Sequence, residues 1–363
     1  MPSKAMDVLL ITSNQAREMK RWWRMIPSQT PYVLLFLGAA CFVFYISYRR
    51  WIFCEECTEK YVFGDLMTVH LHIGGVGNNM FELVSFLGIA RTLKRTPVIS
   101  YSSTRLMQGK HRHFNRIMEG VRTGPQHWWT SGETAEFGHQ CGVYRDPSYL
   151  VPLNNHYRIF EIDIVYAQSF KYFQSIPRKE LMEMLSLDES VQKEAEALVE
   201  KKALEGIDYV ICVHTRRGDF VESTFHAHSE PNFTIPATVA IVDKAVKDGH
   251  KPIVVLFGQD KKWLRTMIGD GQRKDYIIAG EYSPSYEAVA EWEFSRRHCS
   301  SVLLTASAST FGWWMATFSS GDVYYNKVYS KGAGFGATLK PDDFFFPHWH
   351  PVGVDAIGQV TGI

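Results

Sequence analysis

The sequence predicts an α/β protein with parallel sheets, and three observations predict it. Apolar runs of strand length alternate with segments of helical spacing from Thr68 to Tyr325, the pattern of strand–helix–strand crossovers. Polar clusters fall just past three of those runs, at His214–Asp219, Gln259–Asp260 and Ser307–Thr310; in open parallel sheets such ends share one ligand crevice. At 363 residues with 45% hydrophobic content, the chain can bury two cores. The expected division is a Rossmann-like N-terminal half over 67–185 and a Rossmann-like C-terminal half over 186–363, the second with a doubly wound sheet.

Ahead of these halves, Pro31–Tyr48 (PYVLLFLGAACFVFYISY) carries no charge and is close to the roughly 20 residues that cross a bilayer. It lies too far from the start for a cleaved signal peptide. Arg17, Lys20, Arg21 and Arg24 precede it, and Arg49 and Arg50 give way to Glu55 and Glu56 behind it. The positive excess places the N-terminus in the cytosol. The expected order is a cytosolic tail over 1–30, a transmembrane anchor over 31–48, a stem over 49–66 and a luminal body. Asn232-Phe233-Thr234 is a glycosylation sequon suited to a lumen. Cys54 and Cys57 form a lone Cys-x-x-Cys without the second pair that a zinc site wants, and Cys212, in an apolar run, reads as a small core residue. A net charge of +1 gives no footprint for nucleic acid.

The elements then follow in order. Thr68–Ile73 reads as a strand, Gly74–Asn79 as a glycine-rich turn, Met80–Leu93 as a helix and Pro97–Ser100 as the next strand. The turn is not a dinucleotide fingerprint: Met80 stands where the third glycine belongs, and no acidic residue ends the second strand. Ser102–Pro152 has no clear period and reads as loops and short helices around a cleft. Tyr157–Val165 is a strand whose Glu161 and Asp163 share a face; without a further acidic partner they read as solvated. Ser186 and Glu189 suit a capping box for a helix that stops at Gly206. Val210–Val213 is a strand that breaks into His214-Thr215-Arg216-Arg217-Gly218-Asp219. Pro236–Lys247 is a helix, Ile253–Phe257 a strand, Tyr276–Ile278 a strand and Tyr286–His298 a helix. Val302–Leu304 is a strand, Thr310–Phe318 a helix and Val323–Tyr325 the last strand.

Two arginines beside a helix start suggest a pyrophosphate pocket without reference to any family. Arginine forks bind phosphate bidentately, and a helix N-terminus offers free N–H groups and a favourable dipole. The alternative for His214–Asp219 is a solvated turn of surface ion pairs.

The motif His214-x-Arg216-Arg217-x-Asp219 resembles the donor-binding motif of the α1,2-fucosyltransferases, a glycosyltransferase family 11-like group within the GDP-fucose-dependent superfamily. Gly74-Gly75-Val76-Gly77-Asn78-Asn79-Met80-Phe81 is similar to the family's Gly-Arg-Leu-Gly-Asn-Gln-Met-Phe, with Gly75 for Arg and Asn79 for Gln. Phe257–Trp263, Ser309-Thr310-Phe311-Gly312-Trp313-Trp314 and Phe345-Phe346-Pro347-His348-Trp349 resemble its later motifs, in family order.

The resemblance implies a GT-B-like fold and transfer of L-fucose from GDP-fucose to a galactose-type hydroxyl, with inversion, by a Golgi type II membrane protein. It implies Arg216 and then Arg217 at the β-phosphate, with Ser309, Thr310 and Phe311 holding the phosphates. His214 and Asp260 would orient the nucleoside, and Asn78 would lie near the transferred sugar. Asp219 is either a base or, more simply, an ion-pair partner of the arginines. No acidic motif stands at a strand end, and two arginines can replace a divalent cation, so no metal and no cofactor are expected. The partners are GDP-fucose, a galactoside on glycoprotein or glycolipid, and the membrane; a homodimer is compatible with this. The rival functions are a protein O-fucosyltransferase and a non-catalytic sugar-nucleotide or glycan-binding protein, the latter favoured by Gly75 and Asn79.

Overall fold

The computed structural model describes residues 30–52, 59–66, 74–269, 275–332 and 338–363, apart from 111, 115, 120, 125–133, 139, 283 and 284. The chain divides at residues 54 and 55 into two units. Among the described residues the first holds α1 (Thr30–Ile52), which covers the apolar stretch. Its described side chains, at 35–47, are all exposed, Leu35, Phe36 and Phe44 by more than 70%. Among the described residues, no helix is long and apolar enough to cross a membrane.

The second unit carries two sheets. The first contains β1 (Tyr61–Leu66), β2 (Thr96–Ser100), β3 (Arg122–Gly124), β4 (Thr134–Gly138) and β5 (Ile159–Val165) in the order β3-β2-β1-β5-β4, all parallel. Its central strand corrects the expected stem, because β1 occupies residues assigned to 49–66. The strand expected at Thr68–Ile73 lies outside the described residues. The glycine-rich stretch is no loop either: α2 runs Val76–Thr92, so Val76–Asn79 are its first turn. A helix over Tyr101–Lys110 accords with the loops and short helices expected there, whereas strands β3 and β4 were not expected. Buried Arg95 ties the bottom of this sheet together, donating to the carbonyls of Tyr61 (2.6 Å), Arg158 (2.8 Å) and Asn154 (2.8 Å).

Between the sheets, α3 (Glu189–Ala197) is capped by Asp188, whose carboxylate accepts from Val191 N at 3.0 Å. Asp188 therefore takes the capping role expected of Ser186. The second sheet holds β6 (Tyr209–His214), β7 (Pro252–Phe257), β8 (Tyr276–Ile278), β9 (Ser301–Leu304), β10 (Asp322–Asn326), β11 (His350–Val354) and β12 (Val360–Thr361), in the order β12-β11-β10-β9-β6-β7-β8. Only β12 runs antiparallel. β10, expected to be the last strand, is followed by β11 and β12. Four helices pack on this sheet or beside it: α4 (Pro231–Lys247), α5 (Lys261–Ile268), α6 (Ala290–His298) and α7 (Thr310–Phe318). α4 starts earlier than expected and carries Pro236 internally; α6 starts later than Tyr286.

Cys212 is not a free core thiol. It forms a disulfide with Cys299, just past α6, with Cα atoms 5.7 Å apart. Closing a loop of 87 residues removes unfolded-state entropy worth on the order of 4 kcal/mol. Cys141 is free; Cys54 and Cys57 lie outside the described residues.

Aromatic packing joins the two halves. Phe81 of α2 lies 4.5 Å from Trp313 and 5.1 Å from Trp314 of α7, ring centre to ring centre. Trp314 donates its indole N–H to Gly77 O at 3.0 Å, and Arg178 caps the end of α7 through the carbonyls of Thr317 and Ser319. One continuous core runs through both halves, which fixes the ends of one sheet relative to those of the other.

Candidate active site

Each sheet has a point where the chain reverses direction across it. In the first, the chain runs outward from β1 through β2 to β3, crosses to the far edge at β4 and returns to β5 beside β1; in the second it runs from β6 to β8 and resumes at β9. Ligands in such sheets bind beyond the carboxyl ends of the strands at these points. Here both points open onto one cleft of about 520 Å³. Gly74–Asn78, beyond β1, and Tyr166 and Gln168, beyond β5, form one wall. Arg216 and Asp219, beyond β6, and Ala308–Phe311, beyond β9, form the other. A side cavity of about 230 Å³ shares Arg216, Gln259, Ala288 and Phe311 with the cleft and adds His214, Lys261, Tyr286 and Glu291.

The loop beyond β6 is pinned from below. Arg216 N donates to Ser229 Oγ (2.8 Å), Ser229 Oγ lies 2.6 Å from Thr305 Oγ1, and Thr305 Oγ1 donates to His214 O (2.9 Å). Gly218, at φ +39, takes the chain through a turn that L side chains rarely adopt, and the two arginines before it go to different places. Arg216 lines both cavities. Its Nη2 pairs with Asp219 at 2.9 Å, its guanidinium lies over the Phe220 ring, and its buried Nε–H has no hydrogen-bond partner. Arg217 turns to Asp260 (3.3 Å), to Ser229 O (2.8 Å) and over the Trp263 ring. Neither Arg217 nor Asp260 lines either cavity; Asp260 caps α5 by accepting from Trp263 N at 3.0 Å.

The start of α7 forms the facing wall. Ser309 is its N-cap, accepting from Gly312 N, and the N–H groups of Thr310 and Phe311 are left for a ligand. Thr310 donates to Asn78 Oδ1 at 2.7 Å, and Gln168 donates to the same oxygen at 3.0 Å. Asn78 therefore bridges the two halves inside the cleft. Phe311 stacks on His214, ring centres 5.8 Å apart. Burial, then the nearby Arg216 charge, depresses the His214 pKa to about 3, so the ring is neutral.

Three residues of the side cavity were missed in the sequence reading. Glu291 is buried, which pushes its carboxyl up against the opposing pull of Tyr286 and Lys261. Tyr286 donates to Glu291 Oε1 at 2.8 Å, and Lys261 Nζ donates to Ala279 O at 2.6 Å. The only sequence signal was an acidic residue among the apolar positions of α6.

The Glu161–Asp163 reading also needs correction. Glu161 is buried, not solvated, and it has an acidic neighbour: Asp65 of β1 pairs in register with Asp163. Their ligand atoms lie within 4.8 Å of one another. None of the three lines the cleft. Asn232, the sequon asparagine, is exposed in the first turn of α4, while Thr234 is buried.

The family model for glycosyl transferase family 11 matches residues 153–352. A galactoside 2-alpha-L-fucosyltransferase of Caenorhabditis elegans is 31% identical over 324 residues, covering 82% of this chain and 79% of its own length. A second protein of that name and organism is 30% identical, covering 83% of each. Among solved structures, a mutant of Arabidopsis thaliana FUT1 in complex with GDP aligns over 86% of this chain and 79% of its own, at 12% identity and a TM-score of 0.46, too distant to bear on the site. A family match over more than half of the chain, and relatives of that identity along most of it, establish that the chain belongs to glycosyl transferase family 11.

Proposed function

We propose that this chain is a galactoside 2-α-L-fucosyltransferase that moves L-fucose from GDP-fucose to a galactose hydroxyl with inversion. The carrying observation is the single cleft onto which both chain reversals open, with Arg216 and the start of α7 on one wall and Asn78 on the other. The diphosphate fits the first wall. The unpartnered Nε–H of Arg216 and the N–H groups of Thr310 and Phe311 supply donors for its oxygens, with Ser309 at their base. The acceptor sugar then fits the wall of Asn78, Tyr166 and Gln168. As the glycosidic bond breaks, charge grows on the leaving phosphate, and a fixed cation lowers the barrier there. Arg216 supplies that cation, so the reaction runs without a divalent metal.

The test is transfer from labelled GDP-fucose to a panel of galactosides against a panel of peptides, in chelator. Transfer to peptides alone would favour an O-fucosyltransferase. No transfer with intact GDP binding would favour a binding protein, and activity restored only by manganese would refute metal independence.

The side cavity suits the base. A guanine presents adjacent N–H donors on one edge, and Glu291 is a buried carboxylate able to accept both. Hydrogen bonds to charged groups contribute about 1.5–3 kcal/mol, so Glu291→Gln is expected to weaken GDP binding roughly 10–100-fold by calorimetry. Because burial raises the Glu291 pKa, GDP affinity of the parent falls on acidification through that raised value, where the carboxylate is lost. The variant loses this dependence. Unchanged affinity in Glu291→Gln would put the base elsewhere.

The uncharged stretch Pro31–Tyr48 within α1, whose described side chains are exposed, supports a single-pass type II anchor in the Golgi, with the catalytic body and a glycosylated Asn232 in the lumen. Protease added outside intact microsomes is expected to leave the body undigested; digestion would reject this topology.

A further inference from the structure

Fucosyl transfer requires that the acceptor hydroxyl lose its proton as its oxygen bonds to the sugar. The inference below rests on that reading of the reaction. Among the described residues, four titratable ones besides Arg216 line the cleft: Cys141, Tyr166, Asp219 and His226. Burial pushes the Cys141 thiol up to about 11 and raises the Tyr166 phenol, so both keep their protons near neutrality and cannot accept another. Asp219 is held by Arg216 at 2.9 Å.

His226 differs from these in geometry and in charge. Its ring lies flat on Phe220, centres 4.3 Å apart with planes 10° from parallel, and meets Phe225 edge-on at 4.6 Å. Its backbone is fixed on both sides. His226 N donates to Ser223 Oγ at 2.9 Å, an antiparallel bridge joins it to Ser330, and Lys331 N donates to Phe225 O at 3.0 Å. The ring is thus oriented by stacking, with no hydrogen bond to direct it. Nδ1 is closed off from solvent and has no partner, which leaves Nε2 as the nitrogen that can meet a hydroxyl in the cleft. The charges facing the ring come from Asp219 and Arg216 on the β6 side and Lys331 on the opposite segment. Burial dominates and, with Arg216 and Lys331, outweighs Asp219, so the pKa lies below the ordinary histidine value. The ring is therefore neutral and able to accept a proton at physiological pH.

We propose that His226 is the general base of the transfer, taking the proton of the acceptor hydroxyl on Nε2. In that step the acceptor oxygen forms its bond to fucose C1 while the bond from C1 to the β-phosphate oxygen breaks. The electron pair leaves with GDP, the hydroxyl proton moves to His226, and the imidazolium then returns it to water. A base so placed contributes typically 10²–10⁴-fold.

The experiment measures kcat, the pH profile and GDP affinity of the full chain with GDP-fucose and a galactoside. His226→Phe keeps a flat ring on Phe220 without a nitrogen, and His226→Gln serves if the phenylalanine variant does not fold. Either is expected to lower kcat by about 10²–10⁴-fold while GDP affinity stays within about threefold. The parent's rate should fall on the acid side, below the ordinary histidine range, as the ring takes up a proton; the variant should lack that limb. A folded variant that turns over within about threefold of the parent, or keeps the acid limb, overturns the base. A parent inactive on every galactoside overturns the fucosyl-transfer reading itself, and the proposal with it.

Discussion

Arg216→Lys is expected to lower turnover by about 10²–10³-fold, the range typical of losing one electrostatic stabiliser at a developing charge. Lysine keeps the positive charge but loses the planar fork. The fork has two separate uses here: Nη2 holds Asp219 at 2.9 Å, and the buried Nε–H remains without a protein partner. A lysine ammonium can replace the first contact and cannot supply the second in the same plane. GDP affinity should fall less than turnover, because the contribution grows only as the phosphate gains charge, which is the condition for raising kcat. Stability should hardly change. The pair with Asp219 is half open to water, with Asp219 63% exposed, and exposed pairs contribute about 0–1 kcal/mol. Arg217→Lys is the internal comparison. Arg217 faces Asp260, Ser229 O and Trp263 away from both cavities, so its replacement should cost stability more than turnover. An Arg216→Lys variant that folds and turns over like the parent would reduce Arg216 to a surface ion-pair residue and remove the phosphate site proposed at the β6 loop.

The contrast between these two arginines marks what the sequence could and could not say. Neighbouring residues of one type are equivalent on paper; only their partners in the fold, Asp219 and Phe220 for one and Asp260, Ser229 and Trp263 for the other, separate them. Strands β6, β7 and β9 were legible because buried parallel strands are continuous apolar runs. β1 was not, because Tyr61–Leu66 contains Gly64 and Asp65, both unfavourable in strands. Gly64 is there for a packing reason: a Cβ would come within 2.7 Å of the Phe86 ring. β4, with the sequence TAEFG, is a short edge strand made by its pairing with β5, and no alternation announces it. The phosphate wall could be read from strand ends and helix starts. The base pocket could not, since Glu291, Tyr286 and Lys261 come together only through tertiary packing. Cys212 has a partner 87 residues away, which spacing alone does not identify. His226 sits in a loop without period, and its value arises from the Phe220 ring beneath it.

Gly77→Ala should be the most damaging change of a single methyl group at the junction of the halves. An added Cβ would lie 2.6 Å from the Thr310 carbonyl carbon and 2.7 Å from Phe311 N, both backbone atoms of the first turn of α7 that cannot swing aside. Overpacking of this kind costs typically about 1–3 kcal/mol, so the unfolding midpoint should drop measurably. The larger effect is on the chemistry. Thr310 bonds Asn78 at 2.7 Å and Trp314 bonds Gly77 O at 3.0 Å, so these contacts set the distance between the phosphate wall and the acceptor wall. Relief of the clash must push α7 away from α2 and separate the two substrates. A misplacement of about 1 Å can cost on the order of 10²-fold in rate, and kcat/KM for the acceptor should fall by about that factor. GDP affinity should be nearly kept, because the donor side moves as one body. Gly75→Ala is the matched control. Nothing lies within 4 Å of its Cβ, and its φ of −87 suits alanine, so turnover and midpoint should match the parent. Equal behaviour of the two alanine variants would mean that the start of α7 yields freely, and that the cleft does not depend on the close approach at Gly77.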